Sequence, residues 1–271
     1  MPKQRVVGVD VGLPKMVKVS VATFRKRVVG ARVGFVHRRA KLVLIELDNG
    51  WTIIIHLKMS GQLIWQPKKG KMRVGGHPIP GGIYDLPNKY SHVVFRCTGG
   101  TLYFNDQRQF GFVKLVATGS LEKWLEEQGY GPEPLDSEFT LIRFMELMKK
   151  HQRKRIKPTL LDQSVIAGIG NIYADESCFA AKVKPARRIS TMTTKEKIDL
   201  YKGIRAILNL AIAKKGTTAD AYRTANGDKG SMMPFLKVYG RDGQKCKRCG
   251  HVILKNVLAG RGTHFCGHCQ R

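Results

Sequence analysis

Four cysteines near the C-terminal end constrain the fold of this chain more than any other feature. They form two Cys-x-x-Cys pairs, Cys246 with Cys249 and Cys266 with Cys269, and sixteen residues separate the pairs. Each pair can turn two thiolates to one side of a loop, and a hairpin between the pairs can bring all four into a tetrahedron. The spacing therefore predicts a zinc ribbon that holds one structural Zn²⁺, since four thiolates leave no open coordination position for a water.

The other cysteines and the first residues indicate a reducing compartment. Cys97 and Cys178 stand alone in the sequence, which is typical of small buried hydrophobic residues. Neither a secretory signal nor a membrane span is visible, because the apolar runs are far shorter than the roughly 20 residues that cross a bilayer. We therefore expect a protein of a reducing compartment such as the cytoplasm.

The charge of the chain predicts its kind of partner. Its 271 residues include 48 Lys and Arg against 20 Asp and Glu, a formal net charge of +28, and 42% of the residues are hydrophobic. That apolar fraction excludes a disordered basic tail. Such a charge on a folded protein favours a polyanion, because phosphate contacts relieve self-repulsion and release counterions. An anionic membrane is the competing partner, but no separate basic amphipathic helix supports it.

The pattern along the chain changes near its middle, which predicts an α+β protein of several domains. Residues 1–118 contain short apolar or alternating runs between glycine turns, typical of a β-sandwich or barrel, with a loop at 68–82. Helical signals follow in residues 119–215: Ser120 before 121–125, a helix near 139–150, and a helix over 194–214 with Thr193 and Glu196 as a capping box. Residues 216–243 are predicted to form a polar mobile loop and linker, and residues 244–271 the zinc ribbon.

Two further motifs could bind anions. Arg261 lies between two glycines near the tip of the predicted hairpin, and Gly168-Ile-Gly170 precedes a helix that begins at Asn171. The amino end of such a helix offers free N–H groups to a phosphate. Four cations in 153–157 come before a short helix upstream. Each motif alone would be read as a solvated surface charge or a linker, but together they describe an anion cradle.

The order of these motifs resembles the formamidopyrimidine-DNA glycosylase and endonuclease VIII family, and the former branch more than the latter. The resemblance extends from about Arg5 to the C-terminus and is carried by segments 38–41, 56–61, 106–111, 131–134, 156–158, 168–176, 216–218, 238–241 and the zinc ribbon. It implies an N-terminal β-sandwich, a helix-two-turns-helix domain and a zinc ribbon that bind duplex DNA as a monomer. It also implies a location in the bacterial cytoplasm, in association with the nucleoid. It also implies excision of oxidised purines, with the loop after residue 216 closing over the extruded base.

The resemblance assigns roles to individual residues. Met59, Arg108 and Phe110 match a wedge that fills the gap left by the extruded nucleotide, with Arg108 facing the orphaned base. Lys41 matches a lysine that contacts phosphate and assists proton transfer, and Arg261 matches an arginine active in the late proton transfer of elimination. The expected DNA contacts also include Tyr90, which stands where a histidine is usual, and Arg153, Lys157 and Asn171.

The first residues depart from the family pattern. The family nucleophile is an N-terminal proline amine followed by glutamate and a helix, whereas Pro2 is followed here by Lys3-Gln4-Arg5 and then by a predicted strand. An α-amino group can act as a nucleophile near pH 7, but a lysine does not replace the carboxylic acid that protonates the sugar. We therefore expect this chain to bind abasic or 8-oxoguanine duplexes and to excise the base poorly or not at all.

Two function classes remain open at this point. The first is a bifunctional DNA glycosylase and AP lyase acting on oxidised purines in base-excision repair. The second is a protein that binds lesions or abasic sites without excising them. A generic zinc-ribbon nucleic-acid binder explains less, because it gives no reason for Met59, Arg108 and Phe110 to occur together.

Overall fold

The computed structural model describes residues 2–77, 85–217 and 231–271. The chain divides into two compact units, residues 1–128 with 215–231 and residues 129–214 with 232–271. The finer division into four segments stays a prediction. In the part of the chain that is described, no helix has both the length and the apolar character needed to cross a membrane.

The first unit is a β-sandwich of two antiparallel sheets. One sheet has the strand order β1-β7-β8-β5-β6 and the other the order β2-β3-β4-β9. The strands are β1 (Val6–Val11), β2 (Val33–Arg39), β3 (Leu42–Leu47), β4 (Trp51–His56), β5 (Gly61–Pro67), β6 (Arg73–Gly76), β7 (Ser91–Cys97), β8 (Gly100–Asp106) and β9 (Phe112–Ala117). Apolar side chains of both sheets, such as Ile55 and Phe104, share one buried core. The predicted β-rich half is therefore confirmed as a sandwich.

Two elements of this unit were not predicted. Helix α1 (Val21–Val28) lies in the β-rich half, where the Ser20 side chain caps it by accepting from the Thr23 amide, and Phe24 and Val28 enter the core. Strand β6 lies inside the segment 68–82, which was wrongly taken as a loop throughout, and residues 78–82 of that segment fall outside the described residues. Helix α2 (Leu121–Glu127) begins after Ser120 as predicted, although the serine side chain makes no capping bond.

The second unit is built on four helices. They are α3 (Leu141–Lys150), α4 (Ile156–Leu161), α5 (Asn171–Ala180) and α6 (Thr194–Ala213). The predicted capping box is present at the start of α6, where Thr193 and Glu196 bond reciprocally to each other's backbone amides. Phe144, Leu160 and Ile204 are fully buried in the core shared by these helices.

The C-terminal part of this unit is an antiparallel hairpin of β10 (Ile253–Leu258) and β11 (Arg261–Cys266). Ala259 and Gly260 form its turn with φ of 49° and 71°, a left-handed pair that matches the twist of a two-residue hairpin. The prediction of a polar mobile loop over 216–243 is wrong for residues 231–243, because Met232, Leu236 and Val238 are buried there. Residues 218–230 of that segment lie outside the described residues.

Candidate nucleic-acid interface and metal centre

The four predicted cysteine ligands converge at the base of the hairpin. Their Sγ atoms all lie within 4.8 Å of one another, with Cys246 and Cys269 3.9 Å apart and Cys249 and Cys266 3.6 Å apart. Disulfide sulfurs would be about 2 Å apart, whereas four thiolates around one zinc, at about 2.3 Å from it, lie nearly 3.8 Å from each other. The donor set and its spacing therefore fit one structural Zn²⁺.

Backbone amides support the thiolates of this centre. The Arg248 amide donates to Cys246 Sγ and the Cys269 amide donates to Cys266 Sγ, each at 3.4 Å. Amide donors stabilise the negative charge that a metal-bound sulfur keeps. The zinc ribbon predicted from the spacing is thus confirmed, and its function is to hold the hairpin.

The hairpin presents Arg261 to solvent as the first residue of β11, directly after the turn. Behind it, the carbonyl of Gly262 accepts bonds from Lys157 Nζ at 2.7 Å and from Asn171 Nδ2 at 3.0 Å. The structure therefore brings three predicted DNA-binding residues together. Only Arg261 among them directs an exposed charge outward.

The position of Lys157 does not agree with its predicted role as a phosphate contact. Its side chain is 0% exposed, and its ammonium contacts the Gly262 carbonyl, Thr263 Oγ1 at 2.8 Å and Asp175 Oδ1 at 2.7 Å. Two hydrogen bonds and an ion pair hold the ammonium inside the protein, and its full burial keeps it away from a phosphate at the surface. The predicted phosphate contact of Lys157 is therefore not supported, because the side chain is committed inside the protein.

Of the remaining predicted residues of this unit, Asn171 is half-buried and Arg153 is exposed. Asn171 is the first residue of α5, preceded by Gly170 as N-cap and by Gly168 with a φ of 91°. Arg153 is exposed in the turn that leads from α3 to α4. The amino end of α5 and this turn thus keep the polar groups that the sequence motif predicted.

In the first unit, Met59, Arg108 and Phe110 lie against one another. Met59 is 50% and Phe110 56% exposed, although both are large and apolar. The Arg108 guanidinium lies 4.8 Å from the centre of the Phe110 ring, and its Nη1 is 3.5 Å from Met59 Sδ. Two apolar side chains and one arginine thus form an exposed cluster, which we call the wedge cluster.

A buried carboxylate holds the two loops that carry this cluster. Asp106 is 0% exposed and accepts from Ser60 Oγ at 2.5 Å, the Gly111 amide at 2.6 Å and the Arg108 amide at 3.2 Å. Ser60 follows Met59, and Gly111 follows Phe110. Side chain and backbone of the two loops are therefore tied to one charged group, which favours a fixed arrangement of the cluster.

Lys41 lies at the surface in the turn between β2 and β3, and its neighbour Leu42 pairs with His56 on β4. Burial, together with the charges of Lys58 and Lys41, lowers the pKa of His56 to about 4. The region around Lys41 is therefore electropositive and contains a neutral imidazole at pH 7.

Tyr90 is half-buried and directly precedes β7, and its carbonyl accepts from the Asp106 amide at 3.0 Å.

Pro2 is followed by a turn, and β1 begins at Val6. Lys3 has a φ of 67° and its amide donates to the Val33 carbonyl at 2.7 Å. Residues 2–5 thus form a turn that leads directly into β1.

Sequence reasoning missed the buried acids. Asp106, Asp175 and Glu176 lie within segments that carry the family resemblance but were assigned no role, although each holds a loop or hairpin in place. The Glu176 carboxylate accepts from the amides of residues 237, 238 and 239 at 2.9 to 3.0 Å. Burial raises the pKa of Glu176, and these amide bonds oppose the rise. For Asp175 and Glu176, the sequence signal was an acidic pair in a helix that also contains several apolar residues.

Models of three protein families match successive parts of the chain. "Formamidopyrimidine-DNA glycosylase N-terminal domain" matches residues 1–113, "Formamidopyrimidine-DNA glycosylase H2TH domain" residues 130–222, and "Zinc finger found in FPG and IleRS" residues 243–271. The curated formamidopyrimidine-DNA glycosylase of Pelotomaculum thermopropionicum is 37% identical over 276 residues, covering 100% of this chain and 93% of that protein.

Solved structures of the Lactococcus lactis Fpg are also similar. Its complex with DNA containing an abasic site has a TM-score of 0.86 at 30% identity, covering 100% of this chain and 94% of that one. Its complex with DNA containing N7-benzyl-Fapy-dG has a TM-score of 0.84 at 31% identity, covering 100% and 93%.

A β-sandwich unit and a helix-two-turns-helix unit with a four-cysteine ribbon define a class of zinc-containing DNA-repair proteins. The chain belongs to the formamidopyrimidine-DNA glycosylase family. Members of this family are bifunctional, combining DNA glycosylase and AP lyase activities.

Proposed function

We propose that this chain recognises oxidised purines, such as 8-oxoguanine and formamidopyrimidines, in duplex DNA and removes them as a glycosylase and AP lyase. The observation that carries the proposal is the wedge cluster: Met59 and Phe110 are exposed, and Arg108 lies between them. An enzyme that extrudes a nucleotide must refill the stack, and two apolar side chains with a hydrogen-bonding arginine suit that task. The lesion-DNA complexes of the Lactococcus lactis relative support the same substrate class.

The surface residues of both units supply the DNA contacts in this proposal. Arg261, Arg153 and the amino end of α5 at Asn171 contact phosphates, and Lys41 contacts the phosphate next to the lesion. Tyr90 contributes a further contact beside the wedge cluster. Lys41 and Arg261 assist the proton transfers that follow attack on the sugar, as the family resemblance implies. The net charge of +28 supports binding to a polyanion.

The residues after Pro2 favour a second candidate, binding of lesions or abasic sites without excision. Lys3, Gln4 and Arg5 include no carboxylate to protonate the sugar ring. Both candidates share the wedge cluster and the phosphate contacts. They differ only in whether a covalent amine adduct forms at C1′.

Borohydride trapping on an 8-oxoguanine duplex separates the two candidates. In the glycosylase, the amine displaces the base at C1′, and borohydride reduces the resulting imine to a stable adduct. A covalent protein–DNA band and strand cleavage would support excision. Tight binding without either product would support the second candidate, and binding no tighter than to undamaged duplex would overturn both.

A further inference from the structure

The Arg261 turn depends on contacts from outside the hairpin for its position. The hairpin has only two strands, and an isolated two-stranded ribbon is marginally stable in water. At the turn itself, Ala259 and Gly260 are exposed, and a Cβ at Gly260 would meet nothing within 4 Å. The zinc centre fixes the opposite end of the strands. The helices beside β11 must therefore fix the turn.

A buried carboxylate of α5 makes that connection. Asp175 is 0% exposed; its Oδ1 lies 2.7 Å from Lys157 Nζ, and its Oδ2 accepts from the His264 amide at 2.9 Å and lies 3.3 Å from His264 Nδ1. His264 is 6% exposed, and its Nε2 lies 3.3 Å from Asp242 Oδ1. One carboxylate thus contacts α4 and β11 at once.

Lys157 extends the connection to within one residue of Arg261. Besides Asp175, it contacts the Gly262 carbonyl and Thr263 Oγ1, and Asn171 donates to the same Gly262 carbonyl. The peptide group between Gly262 and Thr263, one residue beyond Arg261, is therefore held by donors from α4 and from α5. Tyr239 packs edge-on against the His264 ring, with centroids 4.8 Å apart.

We propose that Asp175, His264 and Lys157 form a hairpin clamp whose purpose is to position Arg261 for its phosphate contact. Asp175 and His264 are then positioning residues, because they act through Arg261 and do not touch DNA themselves. The proposal rests on the DNA contact assigned to Arg261 under the proposed function. In this proposal Lys157 does not contact DNA directly but supports the hairpin that carries Arg261.

His264→Phe is the informative variant. Asp175→Asn would leave Lys157 buried without its counter-charge, and loss of a buried partner is strongly destabilising. His264→Phe keeps an aromatic ring against Tyr239, retains the backbone bond to Asp175 and removes both imidazole contacts. The matched control is His251→Phe, since His251 is an exposed histidine of the same ribbon.

The first measurement is amide hydrogen exchange of zinc-loaded protein. The clamp predicts that His264→Phe retains one zinc per chain while the amides of residues 260–262 exchange about tenfold faster, because a local opening becomes easier. The amides of 246–250 and the His251→Phe control should exchange as in the unaltered protein. Unchanged exchange at 260–262 in His264→Phe would overturn the clamp.

The second measurement is affinity for a duplex with a tetrahydrofuran abasic analogue, in a cycle with Arg261→Ala. His264→Phe should weaken binding about tenfold, comparable to losing a hydrogen bond to a charged group, and should have no further effect when Arg261 is already alanine. Equal losses in both backgrounds would overturn the clamp's action through Arg261. If Arg261→Ala itself binds normally while exchange at 260–262 still rises, the assigned DNA contact fails and the structural clamp stands.

Discussion

Asp106, Lys157, Asp175 and Glu176 lie inside the protein, each at most 1% exposed. A buried charge is tolerated only when partners replace its lost hydration, and here every one of them has such partners. Asp106 serves the wedge cluster, Lys157 and Asp175 serve the Arg261 turn, and Glu176 holds residues 237–239. At the residue scale, buried charges therefore position the exposed groups for which we propose DNA contacts.

The first prediction concerns Asp106. Asp106→Asn replaces one acceptor oxygen by an NH₂ group, so the backbone amide of either Arg108 or Gly111 loses its acceptor on this side chain. We expect the free energy of unfolding to fall by about 1–3 kcal/mol, the usual cost of an unsatisfied buried group. Urea unfolding measures this loss, and the exposed Asp85→Asn is the control. A stability equal to that of the control would contradict the role given to Asp106.

The second prediction concerns the pH dependence of His56. Its pKa in the folded protein is lowered from 6.5 to about 4, so the unfolded chain binds more protons between these values. The stability that His56 contributes is therefore complete above pH 6.5 and is lost as the pH falls towards 4. An NMR titration of the His56 ring should give the value near 4. Lys58→Met should raise the pKa of His56, because it removes a nearby positive charge, whereas the control Lys123→Met at an exposed position should leave that pKa unchanged. A pKa of His56 near 6.5 in the unaltered protein would contradict this environment.

The sequence was informative about exposed functional residues and uninformative about buried ones. Met59, Arg108 and Phe110 could be named because the family resemblance marks them, and the structure brings them together. Their supporting carboxylate was not predicted, since its partners are up to 46 residues away and no local pattern encodes such a pairing. Lys157 was placed at the surface for the same reason. Its partners in the hairpin lie 105 and 106 residues further along the chain.

At the scale of elements, local chemistry predicted what it controls directly. The capping box at Thr193, the start of α5 at Asn171 and the zinc ribbon were foreseen because each depends on residues close in sequence or on a strict cysteine spacing. Helix α1 was missed because it is only eight residues long and buries only two side chains, too few to show a helical pattern in the sequence. The segment 231–243 was misjudged because its polar composition hides three buried side chains.

The third prediction concerns the ribbon as an element. The protein should contain one zinc per chain, and Cys249→Ser should lose it and with it the affinity for DNA, because the hairpin that carries Arg261 folds only around the metal. Elemental analysis and a binding assay measure the two effects. Cys97→Ala is the matched control and should keep the metal, since Cys97 lies in the other unit. Full DNA affinity in Cys249→Ser would refute this role of the zinc.

At the scale of the whole molecule, we propose a division of labour between the exposed cations and the wedge cluster. Cations such as Arg153 and Arg261 provide affinity for any duplex, and this affinity falls steeply with salt concentration because counterions are released. The wedge cluster provides preference for a damaged or abasic duplex, because only there is a gap in the stack to be filled. Affinity for any duplex and preference for a damaged duplex thus depend on different residues and can be altered separately.

The most direct test compares affinities for a tetrahydrofuran-containing duplex and the matching intact duplex, at several salt concentrations, for the unaltered protein, Arg108→Ala and the exposed control Arg73→Ala. The unaltered protein and the control should prefer the abasic duplex at least about tenfold, equivalent to about 1.4 kcal/mol. Arg108→Ala should lose most of that preference while its affinity for the intact duplex and its salt dependence stay nearly unchanged. Equal losses on both duplexes would contradict the account, because Arg108 would then contact only the DNA backbone.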